Sequence, residues 1–282
     1  MKQYTSLYFV GAGGIGMSAL VRYFLAKGYK VAGYDRTQSP LTTELKTEGL
    51  EIVYEESVES IPDYCRNPET TLVVYTPAIP ASHSGLVYFR EHGFRVVKRA
   101  ELLGLITQSS RGLCFAGTHG KTTTSSMAAH IFHESPIGCN AFLGGILRNY
   151  NSNLILSEQS PFTVIEADEY DRSFHWLHPY MAVVTATDPD HLDIYGTEEA
   201  YLESFAHFTS LIQPGGCLIM KKGIRLVPNV KEGVKIYTYS ARDGGDFHAG
   251  NIRIGDGTIV FDFVTPEGVF ADIAVSYTHL TL

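Results

Sequence analysis

The alternation of short apolar runs with helical patterns through the first hundred residues is the feature that most constrains the fold. Apolar runs such as "LYFVGAGG", "YKVAGYD", "TLVVYTPAI" and "FRVVK" are separated by segments with helical spacing, of which residues 17–27 are the clearest. Strands that alternate with helices form a parallel sheet covered on both faces. The sequence therefore predicts an α/β fold, with a first domain over residues 1–107.

A second alternating unit follows the polar residues 108–111, "QSSR", which we expect to form a linker. It begins with "GLCFAG", passes a glycine-rich turn, continues as a helix through "TTTSSMAAHIF", and has strand-like runs at "FTVIEAD" and "YMAVVTATD". After Pro214 the chain changes to short alternating strands, and Asp256-Gly257 is typical of a hairpin turn. We expect a P-loop-type α/β central domain over residues 108–274, closed by a small antiparallel β flap.

Composition narrows the classes of protein to which the chain can belong. A length of 282 residues suits two domains, and a formal net charge of -8 gives no support for non-specific nucleic-acid binding. The four cysteines are scattered, and the N-terminal residues lack an apolar stretch long enough for a signal peptide or a membrane span. We expect a cytoplasmic protein with no nucleic-acid or membrane partner, while its oligomeric state is left open.

The stretch "FVGAGGIGMSAL" places Gly11, Gly13 and Gly16 between a predicted strand and a predicted helix. Glycines in this G-x-G-x-x-G order let the backbone approach a pyrophosphate at a helix N-terminus, as in Rossmann-like domains. Asp35 ends the next strand, where a carboxylate usually meets a ribose hydroxyl. Taken alone the motif favours NAD, although it cannot separate NAD from a uridine diphosphate sugar, and a turn that only packs the helix onto the sheet is the alternative.

A second glycine-rich turn, "GTHGKTTT", has two residues between its glycines where the common phosphate loop has four. The chemistry survives this shortening. Backbone N–H groups can wrap phosphates, Lys121 can neutralise their charge, and the Thr122 hydroxyl can ligate magnesium. The position of the turn between an apolar strand and a helix argues against a chance match.

Acidic residues follow the next two predicted strands. Glu166 is the first acid in "FTVIEADEYD", and we expect it beside the phosphate loop as a magnesium ligand. Asp168, Glu169 and Asp171 could share this work, but a run of charges after a strand more often forms a solvated loop, which we expect here. The next strand ends in "TATDPDHLDIYG", where His191 lies among three aspartates, and magnesium chemistry alone would equally allow it to be a helix-capping or core residue.

Taken together, these stretches resemble the Mur ligase family, which makes the peptide stem of bacterial cell-wall precursors. The shared motifs are "GTHGKTTT", "EADEYD" and "DPDHLDIYG", while "FVGAGGIGMSAL" is similar to the first-domain loop of the alanine-adding members. The resemblance covers residues 7–274.

The resemblance implies that the first domain binds a UDP-sugar in place of NAD. The binding residues would be Gly11, Gly13, Gly14, Gly16, Asp35 and, from "KRAELL", Arg99. It implies a central domain that binds ATP through Gly117, Thr118, His119, Gly120, Lys121, Thr122 and Thr123.

The resemblance also implies the reaction. A substrate carboxylate, that of UDP-N-acetylmuramate, attacks the γ-phosphate of ATP, and the amine of L-alanine then attacks the acyl phosphate. Magnesium would be held by Thr122, Glu166 and His191. The catalytic residues would be Lys121, Glu166 and His191, which reduce repulsion between the two anions. The resulting role is in peptidoglycan synthesis, and thus in cell-wall biogenesis, cell shape and cell division.

Some features depart from the family pattern. Many members have Asn-Ile where this chain has Ala186-Thr187, and the family continues into a third domain of roughly 100–150 residues. We expect this third, amino-acid-binding domain to be absent, residues 275–282 to be a foreign tail, and the chain alone not to turn over. Two alternatives stay open: a ligase that attaches a preformed tripeptide to the same UDP-sugar, and an NAD-binding oxidoreductase or sensor.

Overall fold

The computed structural model describes residues 3–241 and 244–276, and the chain divides into two compact units. The first unit comprises residues 1–110 and 128–165, and the second comprises residues 111–127 and 166–282. Most of the expected foreign tail, residues 277–282, lies outside the described residues. The domain boundary expected at residues 107 and 108 stays a prediction.

The strands and helices of the described residues are numbered in chain order. The strands are β1 Ser6–Val10, β2 Lys30–Tyr34, β3 Glu51–Val53, β4 Thr71–Tyr75, β5 Arg95–Lys98, β6 Arg111–Ala116, β7 Asn140–Leu147, β8 Ser152–Ile155, β9 Phe162–Glu166, β10 Pro179–Val184, β11 Cys217–Lys221, β12 Lys235–Ser240, β13 Phe247–Gly255, β14 Thr258–Thr265 and β15 Gly268–Ser276. The helices are α1 Ile15–Ala26, α2 Pro40–Thr47, α3 Ser84–Glu91, α4 Arg99–Gln108, α5 Lys121–Glu134, α6 Leu192–Tyr195 and α7 Glu198–Ser210, and short 3-10 segments cover Asp63–Cys65 and Tyr170–Trp176.

The first unit contains a five-stranded parallel sheet in the order β3-β2-β1-β4-β5. Every residue of the central strand β1 is buried, as expected for a parallel strand covered on both faces. Tyr8, Val10, Val73 and Phe89 belong to the same buried apolar cluster, which joins β1 and β4 to α3. The predicted Rossmann-like parallel sheet is thereby confirmed.

The helix that follows the first glycine-rich turn is anchored within the first unit. Helix α1 packs against β7 and β8, which pair antiparallel with each other. The buried amide of Asn153 donates a hydrogen bond to the carbonyl oxygen of Ile15 at 2.6 Å. This contact joins β8 to the first turn of α1, so the helix end that carries the turn has a fixed position.

The second unit has β6 and β10 as parallel neighbours, and β10 also pairs parallel with β11. Strand β12 continues the parallel pairing, whereas β13, β14 and β15 pair antiparallel with one another. The expectation that the antiparallel flap starts after Pro214 is wrong, because β11 and β12 still belong to the parallel part. The hairpin at Asp256-Gly257 is confirmed, with φ angles of 48° and 71°.

The helices predicted after the second glycine-rich turn and between Glu198 and Leu211 correspond to α5 and α7. The boundary between the two units falls within α5, so its first turn belongs to the second unit. Thr197 caps α7 by accepting a hydrogen bond from the N–H of Ala200 at 3.1 Å. Across residues 3–241 and 244–276, the structure contains no helix with the length and apolar character needed to span a membrane.

Candidate active site

The second glycine-rich turn connects β6 to α5 and begins at Gly117, whose φ is +136°. A β-carbon at this position would collide with the hydroxyl of Thr185 and would lie 2.8 Å from the backbone nitrogen of Ala186. The N–H of Thr118 donates to the carbonyl oxygen of Ala186 at 3.1 Å. Both the backbone angle and the close approach of residues 185–186 therefore require glycine at position 117.

The residues after β10 hold the rest of this loop. The Thr185 hydroxyl contacts the carbonyl oxygens of Ala116, at 3.2 Å, and of His119. The Thr118 hydroxyl lies 2.7 Å from the carbonyl oxygen of Asp188 and 2.8 Å from the phenol oxygen of Tyr201. The contacts of Ala186 with the loop are made by its backbone, so alanine in place of the family's asparagine preserves them.

Thr122 and Glu166 are brought together as the sequence predicts. The Thr122 hydroxyl, in the first turn of α5, donates to Glu166 Oε1 at 2.9 Å. Glu166 is the last residue of β9 and is half-buried. A hydroxyl and a carboxylate oxygen at this spacing are the kind of donors that Mg²⁺ prefers, so the pair fits a magnesium site.

Glu169 corrects the expectation that the acids after Glu166 are all solvated. Its side chain is only 1% exposed, and its Oε1 accepts a hydrogen bond from Lys121 Nζ at 2.8 Å. Burial raises the pKa of the Glu169 carboxyl, although the Lys121 ammonium opposes this by stabilising the charged form. Asp171 is exposed as expected, and Asp168 is half-buried and accepts from the N–H of Tyr170.

His191 lies beside this acid and is half-buried, so the core alternative is wrong. Its Nε2 is 4.0 Å from Glu169 Oε1, and its Nδ1 is 3.8 Å from Asp190 Oδ1. It occupies the residue before α6 with φ +53°, but its side chain makes no capping hydrogen bond. The imidazole is thus near Lys121 and Glu169 as neither a core residue nor a helix cap.

The described part of the chain has no group of three histidine, cysteine, aspartate or glutamate side chains positioned to hold a metal ion. A cation at Thr122 and Glu166 would therefore need ligands from water or from a bound phosphate. Magnesium commonly binds in this way, with one or two carboxylates and substrate phosphates.

The remaining predicted residues of the phosphate loop are accessible to a ligand. His119 and Gly120 are exposed, and Thr123 is half-buried in the first turn of α5.

The first glycine-rich turn is shaped by Asp35 at the end of β2. Gly11 has φ +88°, and the N–H of Gly13 donates to Asp35 Oδ2 at 2.7 Å. Asp35 Oδ1 accepts from the N–H of Thr37 at 3.0 Å. The carboxylate expected to meet a ribose is thus hydrogen-bonded to two backbone N–H groups, which adds a role in holding the loop.

Arg99 is close to the same turn. A β-carbon added to Gly16 would lie 2.6 Å from Arg99 Nη1, so the guanidinium covers the start of α1. Gly14, the residue before α1, has no side chain that could cap the helix, which leaves the helix N-terminus to other partners. The first unit therefore combines a helix N-terminus with a nearby cation, which suits an anionic ligand.

Sequence reasoning gave Glu169 only a supporting place and missed Thr185. Glu169 lies three residues after Glu166, in a run of charges that is typical of a solvated loop. Thr185 directly follows β10, at the same sheet edge as the phosphate loop, and that position was the available signal.

Comparisons with known proteins identify relatives of both parts of the chain. The family model described as "Mur ligase family, catalytic domain" matches residues 6–111, and "Mur ligase middle domain" matches residues 115–278. The UDP-N-acetylmuramate--L-alanine ligase of Parabacteroides distasonis is 66% identical over 273 residues, which are 97% of this chain and 59% of that relative. The chain therefore spans 59% of the length of this curated relative.

Two solved structures show the same fold. The UDP-N-acetylmuramate-alanine ligase of Thermotoga maritima has a TM-score of 0.77 at 22% identity, covering 96% of this chain and 60% of that one. The UDP-N-acetylmuramate:L-alanyl-gamma-D-glutamyl-meso-diaminopimelate ligase of Neisseria meningitides has a TM-score of 0.79 at 21% identity, covering 94% and 86%. Since the middle-domain match by itself covers more than half of the 282 residues, the chain belongs to the Mur ligase family.

Proposed function

We propose that this chain supplies the UDP-sugar-binding and ATP-binding parts of a ligase that joins L-alanine to the carboxylate of UDP-N-acetylmuramate. The observation that carries the proposal is the contact between Thr122 and Glu166 beside the loop that contains Lys121. The 66% identity to a relative named as an L-alanine ligase supports alanine over a preformed tripeptide as the incoming group.

In the second unit, residues Gly117 to Thr123 would hold the phosphates of ATP. Loop N–H groups and the N-terminus of α5 provide donors and a partial positive charge. Lys121 would neutralise the outer phosphates, because its ammonium is already at the loop, 2.9 Å from the carbonyl oxygen of Gly117. Thr185 would keep the loop in this shape while the phosphates bind.

Magnesium would be held by Thr122 and Glu166, with His191 near the same group of residues. The bound ion would supply positive charge that offsets the phosphate oxygens as the substrate carboxylate approaches. Lys121 would also offset this negative charge, from its place in the loop.

Transfer of the γ-phosphoryl group to the carboxylate releases ADP, and attack by the alanine amine on the resulting acyl phosphate releases phosphate. In this scheme no side chain of the chain acts as a nucleophile, and the residues neutralise charge and orient the reactants.

In the first unit, the turn at Gly11, Gly13, Gly14 and Gly16 would hold the diphosphate of the UDP-sugar. Asp35 maintains the turn through Gly13 and would also meet the ligand, and Arg99 would pair with its negative charge. We assign UDP-sugar binding to residues 1–107 and ATP binding to residues 108–274. A cytoplasmic location, the foreign tail and the inactivity of the chain alone stay predictions.

The proposal is tested by calorimetric titration of the purified chain with UDP-N-acetylmuramate, with ATP in excess magnesium, and with NADH as the comparison ligand. We expect saturable binding of the first two and no heat from NADH. Binding of NADH without binding of the UDP-sugar would favour the oxidoreductase alternative and contradict the proposal.

A further inference from the structure

Glu169 is a buried acid whose negative charge is only partly compensated. Oε1 accepts a hydrogen bond from Lys121 Nζ at 2.8 Å, whereas Oε2 is buried and has no hydrogen-bond donor among residues 3–241 and 244–276. His191 Nε2 lies 4.0 Å from Oε1, beyond hydrogen-bonding distance. The ammonium of Lys121 is therefore the main source of compensation for this carboxylate.

Lys121 is folded back onto the protein by these contacts. Its ammonium donates to Glu169 Oε1 and to the carbonyl oxygen of Gly117, the first residue of its own loop. A lysine ammonium has three donors, and two of them are occupied here by protein oxygens. A phosphate bound in the loop needs the same ammonium. Glu169 and phosphate are consequently competitors for Lys121.

Moving Lys121 from Glu169 to a phosphate would leave a buried carboxylate without a compensating charge. An uncompensated buried charge is strongly unfavourable, so this movement needs another positive charge nearby. The pair Thr122 and Glu166 offers oxygen donors for a divalent cation in the same group of residues. Release of Lys121 and binding of the cation should then favour each other, and such a coupling is reciprocal.

We propose that Glu169 is a positioning residue that retains Lys121 when no nucleotide is bound, and that it thereby makes ATP binding depend on a divalent cation. This inference rests on the proposed ATP-binding function. Without the cation, Glu169 keeps the ammonium and repels the phosphates. With the cation present, the charge of Glu169 is compensated and Lys121 becomes available to ATP.

The test measures the dissociation constant for ATP by calorimetry in excess magnesium and in EDTA, for the unmodified chain and for Glu169→Gln. Removal of the carboxylate should tighten ATP binding in EDTA by about fivefold or more, because both the competitor and the repulsion are lost. The ratio of the dissociation constant in EDTA to the dissociation constant in excess magnesium should therefore be smaller for Glu169→Gln than for the unmodified chain. Glu169→Asp, which keeps the charge, should retain a ratio within about twofold of that of the unmodified chain.

Two controls separate positioning from a general charge effect. Asp168→Asn removes a neighbouring negative charge whose Oδ1 accepts from the N–H of Tyr170, and we expect it to leave the ratio unchanged within about twofold. In a Lys121→Met background, the gain from Glu169→Gln should fall below about twofold, since no ammonium is left to release and only the repulsion of the phosphates is relieved. Circular dichroism checks folding, and Glu169→Met replaces the glutamine variant if that variant does not fold.

An unchanged or larger ratio in Glu169→Gln would overturn the positioning role. Persistence of the full gain in the Lys121→Met background would overturn it as well. Failure of the unmodified chain to bind ATP in excess magnesium would instead contradict the proposed function, so the two failures are distinguishable.

Discussion

The two glycine-rich turns differ in what surrounds them, although both join a parallel strand to a helix. The first, at residues 11–16, has no lysine, and the N–H of Gly13 donates to Asp35, with Arg99 nearby. The second, at residues 117–122, combines Lys121 with the buried acid Glu169 and the Thr122–Glu166 pair. The first is mainly a backbone cradle, whereas the second concentrates opposite charges.

Under the proposed function, this difference corresponds to the difference between binding the diphosphate of a UDP-sugar and transferring the γ-phosphoryl group of ATP. A ligand that is only bound needs donors and one or two cations, which a helix N-terminus and an arginine supply. A phosphoryl transfer also needs positive charge placed where negative charge develops on the transferring oxygens, which Lys121 and a cation at Thr122 and Glu166 would supply. If this division is right, substitutions in the second turn should have larger effects than substitutions in the first.

The largest effect is expected from Gly117→Ala. A β-carbon here would meet Thr185 and Ala186 at a φ of +136°, so the loop must move. We expect ATP binding to be lost and the free energy of unfolding to fall by about 2–4 kcal/mol. Calorimetry and urea denaturation measure the two effects. A variant that binds ATP normally and is as stable as the unmodified chain would show that the loop is not constrained by Thr185.

Lys121→Met should weaken ATP binding in excess magnesium by about 100-fold, since a charge-assisted contact to phosphate is removed. Binding of UDP-N-acetylmuramate should be unaffected. Lys46→Met, in the last turn of α2, is the matched control and should leave ATP binding unchanged. Equal losses for both ligands would contradict the division of labour between the two turns.

Arg99→Lys should weaken binding of UDP-N-acetylmuramate by about tenfold, because lysine lacks the planar fork that pairs with phosphate oxygens. ATP binding should not change. Arg95→Lys is the control, since Arg95, at the start of β5, forms an exposed ion pair with Glu101 of α4. The role of Arg99 would be rejected if both arginine variants bound the UDP-sugar equally well.

The smallest effect is expected from Gly14→Ala, the counterpart of the first prediction. Gly14 has a φ of -71°, and the nearest atom to an added β-carbon is Met17 Cγ at 4.0 Å. The free energy of unfolding without ligand should fall by only about 0.5 kcal/mol, the typical cost of alanine at this helix position. A loss as large as that of Gly117→Ala would mean that the first turn is equally constrained.

Much of the fold could be predicted because it rests on local patterns. Apolar runs alternating with helical spacing identified the parallel sheet of the first unit, and Asp256-Gly257 identified a hairpin. The meeting of Thr122 with Glu166 followed from the rule that parallel strands end at one sheet edge. The parallel placement of β11 and β12 did not follow, because short strands and turns after Pro214 are compatible with either direction of pairing.

The burial of Glu169 could not be predicted from its own neighbourhood. A run of acids after a strand is usually solvated, and what overrides this is the contact with Lys121, a residue 48 positions earlier in the chain. Thr185 was missed for a related reason. Its hydroxyl contacts carbonyl oxygens of the loop, and its position after a strand indicates the sheet edge but not this particular contact.

The contacts of Thr185 and Ala186 with the loop have a consequence for engineering. A grafted copy of residues 117–122 would lack the carbonyl and hydroxyl groups that hold Thr118 and His119 in place. Transplanting this short phosphate loop into another α/β protein would therefore require the segment after β10 as well. The transferable module consists of two stretches of chain that are far apart in sequence.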